Sequence, residues 1–243
     1  MDGMSSSIKL ITFDVTGTIL LFKTPVLKKY ASTAFENGLN ADYATLEKNF
    51  LKGWSSLREK HPNFGKKTGL GWEKWWMKMV EKTFDGFINE NDNKIVKIAN
   101  DLIKYHSTAD AFEIRDGTKD LLNYLKNKKK KNLGIVSNYD PRLHIILKQL
   151  NLNNYFDFVL TSYEFGCEKP NEKIFREALK LGNCHNGVEA LHVGDDYVND
   201  YLGAKNAGLN AILINQNEKI NDYVNHSDVF DNFHRLKKHL EKF

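Results

Sequence analysis

Four stretches of this 243-residue chain end in side chains that could do ionic chemistry together. Asp14 closes the apolar run Ile8–Phe13 and leads into Thr16, Gly17 and Thr18. Ser137 and Asn138 follow Leu133–Val136, and Glu168-Lys169-Pro170 comes after Phe158–Leu160. Asp195, Asp196 and Asp200 follow Ala190–Val193. Two carboxylates about 5 Å apart repel by roughly 3 kcal/mol at an effective dielectric near 20. Bringing Asp14 to Asp195 and its neighbours therefore calls for a cation, and hard, oxygen-seeking Mg²⁺ suits carboxylates, water and phosphate oxygens. Lys169 can offset the remaining negative charge, while Ser137 or Thr18 can donate to phosphate oxygens. An aspartate in that company, facing a phosphoryl group, is a candidate nucleophile for an acyl phosphate. Each part alone is weak, since an Asp at a strand end is commonly a cap. Their order at four strand ends carries the reading.

The elements that must position these residues read as alternating strands and helices. The four runs, with a fifth at Ala211–Ile214, have strand character. Asp140-Pro141 reads as an N-cap and first-turn pair for a helix with Leu143, Ile146, Leu147 and Leu150 inward. A second helix opens at Asn171 with Ile174, Phe175, Ala178 and Leu179 inward. A third carries Tyr201, Ala204 and Ala207 and stops at Gly208. Repeated βα units predict a Rossmann-like α/β fold, a doubly wound parallel sheet with ligands at the carboxyl ends of its strands.

The rhythm changes between Phe22 and Phe112, where only helical patterns occur: Val26–Leu39, Tyr43–Arg58, Trp72–Phe84 and Ile95–Tyr105. The expected organisation is an α/β core of residues 1–22 and 113–243 with an all-helical insertion of residues 23–112. The irregular stretch His61–Gly71 is a candidate functional loop, and Trp72, Trp75 and Trp76 after it read as helix-packing residues.

Composition narrows the setting. A chain with 41% hydrophobic and 27% charged residues can bury a core without staples. No stretch nears the ~18 apolar residues of a spanning helix, and the amino-terminal residues lack the apolar region of a secretory leader. Two cysteines, Cys167 and Cys184, without metal-binding spacing fit a reducing compartment, so a cytoplasmic protein is expected. The net charge is +4, yet only 5 of the 35 basic residues are Arg, which argues against nucleic acid as a partner. The lysine run Lys126–Lys131 reads as a solvated helix end. The expected partner is a small phosphorylated molecule, and no oligomeric state follows from the sequence.

The ordered motifs resemble the haloacid dehalogenase superfamily. Its nucleophile motif matches Asp14–Thr18, its second Ser137, its third Lys169 and its fourth Asp195–Asp200. The likeness to one animal subgroup spans nearly the whole chain, through ITFDVT, PNFG, WWMK, VSNYDPRL, FDFVLTS, EKPNEKIF and HVGDDYVNDYLGAKNAG. The resemblance implies that the helical insertion is a type-1 cap over the substrate site. It implies Mg²⁺ held by Asp14, Asp195 and the backbone carbonyl of Thr16, with Asp200 acting through water and Asp196 open between ligand and outer support. It implies catalytic roles for Asp14, Thr18, Ser137 and Lys169, and phosphate contacts from Thr16, Gly17, Ser137, Asn138 and Lys169.

One position departs from the pattern. Phosphatases of the superfamily carry an Asp two residues after the nucleophile, as proton donor and then base; this chain has Thr16. A hydroxyl has no useful pKa for that work, so general acid–base help worth ~10²–10⁴-fold should be missing. The same subgroup shares the change. Thr there also resembles the DKTGT of cation-pumping ATPases, but a pump would need spanning helices. Dehalogenases lack the second Asp too, because halide leaves without a proton, but they need no metal and would leave the Asp195–Asp200 cluster unexplained. Three readings follow: a Mg²⁺-dependent phosphatase, slow or selective for easy leaving groups; a phosphoryl-binding or scaffolding protein; or a dehalogenase-type hydrolase. His61 is a speculative proton donor, set against the plainer reading of a helix-end histidine.

Overall fold

The computed structural model describes residues 8–87, 93–214 and 224–242. The chain forms two compact units, one from the segment up to Leu21 together with that from Ile114 onward, the other Phe22–Glu113.

The first unit is built on six parallel strands in the order β5-β4-β1-β6-β7-β8. These are β1 (Leu10–Phe13), β4 (Asn132–Ser137), β5 (Phe158–Thr161), β6 (Ala190–Gly194), β7 (Asn210–Ile214) and β8 (Val229–Phe230). β1 pairs on both sides, Leu10–Phe13 running opposite Asn132–Ile135 and Ala190–Val193, and all four of its residues are buried. A strand covered on both faces reads as an unbroken apolar run, which is why LITF stands out in the sequence.

Alternation along β1 sends successive side chains to opposite faces. Leu10 packs in one cluster with Ile174, Phe175 and Ala178 of the helix Glu172–Leu181. Phe13 meets Phe156 and Phe233 edge-on, with ring centroids 6.4 and 6.3 Å away. Helices thus cover both faces, and the doubly wound α/β architecture stands as expected.

Numbered in chain order, the helices of this unit are α5 (Thr118–Asn123), α6 (Arg142–Gln149), α7 (Ser162–Phe165), α8 (Glu172–Leu181), α9 (Gly203–Asn206) and α10 (Phe233–Leu240). Asn171 caps α8 as expected, its side chain accepting from Lys173 N–H. Asp140 accepts from Arg142 N–H at 3.1 Å and also takes the Arg142 guanidinium in a buried two-point pair. β8 and α10 have no counterpart among the expected elements. α10 is nonetheless capped by Asn232, which accepts from Arg235 N–H. The lysine run is less solvated than expected, since Lys126 Nζ donates to Tyr155 O at 2.8 Å and Lys131 Nζ to Ile8 O.

The second unit carries α1 (Val26–Glu36), α2 (Tyr43–Lys60), α3 (Trp72–Thr83) and α4 (Lys94–Tyr105). Their inward residues form a core of Tyr30, Ala34, Leu46, Val80, Phe84 and Leu102, joined by Ile98 and Ala99. α1 stops short of the expected Leu39 because Gly38 adopts φ 72° and Leu39 N–H turns back to Ala34 O at 2.9 Å. Trp75 is a packing residue, buried beside Leu57 and Met79, with its indole N–H donating to His61 O at 2.9 Å. His61 ends α2, its Nδ1 2.9 Å from Thr68 Oγ1. The chain crosses between the units at β2 (Leu20–Phe22) and β3 (Phe112–Ile114), two short strands that pair with each other and escaped the sequence reading.

Candidate active site

The sheet delivers Asp14, Ser137 and Asp195 to one edge, because β1, β4 and β6 are adjacent and parallel and each of these residues lies at the carboxyl end of its strand. Lys169 arrives from the loop before α8 and is almost wholly buried. Its Nζ makes three hydrogen bonds: to Asp14 Oδ1 at 2.6 Å, to Asp200 Oδ1 at 2.6 Å and to Val136 O at 2.8 Å. An ammonium has three protons, so all of them are engaged. Ser137 Oγ donates to the same Asp14 Oδ1 at 3.0 Å. Among the described residues, none donates to Asp14 Oδ2.

Asp195 sits against the loop that follows Asp14. Thr18 Oγ1 donates to Asp195 Oδ1 at 2.8 Å, and a Cβ on Gly17 would lie 2.2 Å from Asp195 Oδ2. Gly17 also has φ 88°, so both its backbone and its missing side chain are required there. Arg115 holds the loop from the other side. Its Nε donates to Thr18 O at 2.6 Å, its Nη2 to Gly17 O, and its backbone N–H to Ile19 O at 2.9 Å.

Asp200 is placed by an irregular turn. Tyr197–Leu202 is a wide π turn, not the α-helix expected through Tyr201, and Tyr201 N–H reaches Asp196 O at 3.2 Å. Asp196 caps that turn, accepting from Val198 and Asn199 N–H, and it is exposed. The turn carries Asp200 back so that its Oδ2 accepts from Asp196 N–H at 3.0 Å. The missing Cβ of Gly194 makes room, as a Cβ there would fall 2.2 Å from Asp200 Cγ.

Each carboxylate of Asp14, Asp195 and Asp200 thus offers an oxygen lying within 4.8 Å of the others. At that spacing each pair of charges repels by roughly 3 kcal/mol at an effective dielectric near 20. Burial, joined by the charges of Asp200 and Asp195, pushes Asp14 up to about 7 despite Lys169. Burial likewise lifts Asp195 to about 6, against the bond from Thr18. Burial would also raise Asp200, but Lys169 and His192 outweigh it and hold that carboxyl well below its ordinary range. Lys169 is kept above its usual value because Asp14 and Asp200 overcome its burial. One ammonium cannot neutralise three carboxylates. The donor set, all hard oxygens, fits a divalent cation such as Mg²⁺. Thr16, two residues after Asp14, has a buried Oγ1 with no hydrogen-bond partner.

These contacts already engage several of the residues expected in the site. Thr18 is fully buried and its hydroxyl is committed to Asp195, so it has no free proton for a phosphate oxygen. Asn138 clamps the main chain of Lys169, donating to its carbonyl at 2.9 Å and accepting from its N–H at 2.7 Å, which leaves one amide proton for any ligand. Asp200 has three donors on its two oxygens, which suits a supporting anion better than a direct metal ligand. Asp196 is a cap. Arg115 and the buried pair Thr12 and His192 were not singled out in the sequence. The signal available for the pair was a polar residue inside each of two apolar strands.

A family model for haloacid dehalogenase-like hydrolases matches residues 8–208. The chain belongs to the haloacid dehalogenase-like hydrolase family. Within it, the chain is 32% identical to the Rhythmically expressed gene 2 protein of Drosophila melanogaster, over 97% of this chain and 96% of that protein. Among solved structures of the fold, the HAD-hydrolase YfnB from Bacillus subtilis bound to magnesium superposes with a TM-score of 0.75 at 19% identity, covering 96% of this chain and 99% of that one. A 2-haloacid dehalogenase from Pseudomonas syringae pv. Tomato superposes at 0.67 with 22% identity, covering 97% and 99%. Those two likenesses show the haloacid dehalogenase-like fold. No helix among the described residues is long and apolar enough to cross a membrane.

Proposed function

We propose that this hydrolase is a Mg²⁺-dependent phosphatase of small phosphorylated metabolites, acting in the cytoplasm through an aspartyl phosphate at Asp14. The observation that carries the reading is the arrangement around Asp14: one oxygen pinned by Lys169 and Ser137, the other without a donor among the described residues, and two further carboxylates within 4.8 Å. A dehalogenase gains nothing from that acidic cluster, which would only repel the carboxylate of a haloacid.

In this reading Asp14, Asp195 and the Thr16 carbonyl would hold Mg²⁺, with Asp200 supporting it through water. The bound cation would neutralise the phosphoryl oxygens and the crowded carboxylates. Asp14 attacks phosphorus with a carboxylate oxygen; the P–O bond to the substrate breaks, and the leaving alkoxide or phenoxide keeps the electron pair. Lys169 and Ser137 hold Asp14 in line throughout. Water then attacks phosphorus of the acyl phosphate, inorganic phosphate departs, Asp14 is restored, and the proton of that water passes to solvent. Thr16 can serve neither as the acid in the first step nor as the base in the second. Leaving groups that are stable without a proton are therefore favoured.

The test compares p-nitrophenyl phosphate, whose leaving group needs no proton, with simple alkyl phosphates, each with and without Mg²⁺. Wild type is expected to cleave the first and to be slow on the second, and Thr16→Asp to raise the alkyl rate by about 10²–10⁴-fold. No phosphate release from either protein would favour the phosphoryl-binding alternative. Halide release from 2-haloacids without metal would replace both readings.

A further inference from the structure

Thr12 on β1 and His192 on β6 stand opposite each other in the strand register, and both are fully buried. His192 Nδ1 lies 2.8 Å from Thr12 Oγ1, and Nε2 lies 3.1 Å from Asp200 Oδ1. The direction of each bond follows from what the partners can do. A carboxylate already bonded at 2.6 Å by an ammonium only accepts, so Nε2 carries a proton and donates to Asp200. Nδ1 of the neutral ring then accepts, and the Thr12 hydroxyl donates to it; the other acceptor near that hydroxyl, Leu191 O, is 3.5 Å away. The Phe175 ring packs edge-on against the imidazole at 5.2 Å.

We propose that His192 is a positioning residue: its Nε2–H fixes the Asp200 carboxylate, which in turn aims the Lys169 ammonium at Asp14. The chain of contacts is continuous, from Thr12 to His192, Asp200, Lys169 and Asp14, and every member is buried. Asp200 Oδ2 is held by Asp196 N–H, so Nε2–H and Lys169 together fix Oδ1. Without His192, Lys169 alone would locate that oxygen. Lys169 could then drift toward either carboxylate, loosening the geometry on which in-line attack depends. The role rests on the phosphatase reading, because it is defined by what Asp14 does.

Gln and Asn at position 192 separate positioning from packing. Gln carries an amide N–H about as far as Nε2 and can still reach Asp200. Asn ends near Nδ1, where it can satisfy Thr12 but leaves Asp200 without its second donor. With p-nitrophenyl phosphate and saturating Mg²⁺, His192→Gln is expected to keep kcat within about three-fold of wild type. His192→Asn is expected to lose roughly ten-fold or more in kcat at unchanged KM, the scale of one hydrogen bond to a charged group. The ring ¹⁵N spectrum of wild type should show the proton on Nε2. An unprotonated Nε2, or equal kcat losses in the two variants that follow their melting temperatures, overturns the inference. If the Asn variant does not fold, Thr12→Val removes only the ring's anchor and should lower kcat by about three-fold; an unchanged kcat overturns the inference as well. No turnover by wild type with the Nε2 proton in place identifies the phosphatase reading as the failure, and the positioning role falls with it.

Discussion

The two ends of strands β1 and β6 face opposite electrostatic problems. At the amino end, the exposed Lys9 pairs with Glu189, and Glu189 also accepts from the backbone N–H groups of His185 and Asn186. Side-chain and backbone donors together hold the Glu189 carboxyl down to about 2. At the carboxyl end of the same two strands, Asp14 is buried and Asp195 half-buried, and crowding and burial push them up to about 7 and 6. One end is a satisfied surface pair; the other crowds carboxylates where water is largely excluded from Asp14 and Asp200. Nothing in the strands themselves forces the difference, since the backbone pairing runs evenly from Leu10 to Phe13. It comes from the loops, which bring three carboxylates to one end and a balanced pair to the other. Sites that bind and react are commonly less stable than they could be, and this contrast locates that cost at the carboxyl edge.

The largest effects should come from breaking the crowded end. Lys169→Met removes the ammonium that pairs with both and leaves Asp14 and Asp200 buried without it. Breaking a buried pair in this way costs about 3–5 kcal/mol, so urea melts should show a large loss of stability together with loss of turnover. A melt close to wild type would mean that Lys169 does not balance these charges. Asp14→Asn should behave oppositely, abolishing turnover while stabilising the metal-free fold by about 1 kcal/mol, since it removes one of three crowded charges. Retained turnover would remove Asp14 from the role of nucleophile.

A cation should sharpen the contrast from the other direction. Binding to the folded state alone adds about 2.7 kcal/mol when Mg²⁺ exceeds its dissociation constant a hundred-fold. The melting temperature should therefore rise with Mg²⁺ and return to its starting value with chelator. Asp195→Asn should lose most of that response, and Glu189→Gln should keep all of it. A Mg²⁺ response that survives Asp195→Asn would place the cation elsewhere.

Asp14, Ser137, Lys169 and Asp195 were legible in the sequence because each ends or follows an apolar run, and a parallel sheet gathers strand ends. The helices of Phe22–Glu113 were legible from their spacing, to within a turn. What escaped was the pairing of polar groups across long separations. Thr18 with Asp195, Asn138 with Lys169 and His192 with Thr12 are 177, 31 and 180 residues apart. No local pattern says that a hydroxyl will be taken by a neighbouring carboxylate before any ligand arrives. The π turn at Tyr197 was hidden for a related reason: its sequence fits an α-helix, and the wider turn is seen in the bonds from Tyr201 N–H to Asp196 O and from Gly203 N–H to Val198 O.

The smallest predicted effect lies at the satisfied end and has a distinct pH signature. Glu189 is ionised in the folded state down to about 2, against an ordinary value of 4.5. Folding therefore gains from this carboxylate fully at pH values above 4.5, and the gain fades as pH falls from there toward 2. Glu189→Gln abolishes that titration. The stability of wild type minus that of the variant should be positive but small at pH 7, because the pair is solvent-screened, and smaller still at pH 3. Urea melts at the two pH values measure it. A difference that grows toward acid would mean that Glu189 is better bound when protonated, and the two ends of the sheet would then be less unlike than their contacts indicate.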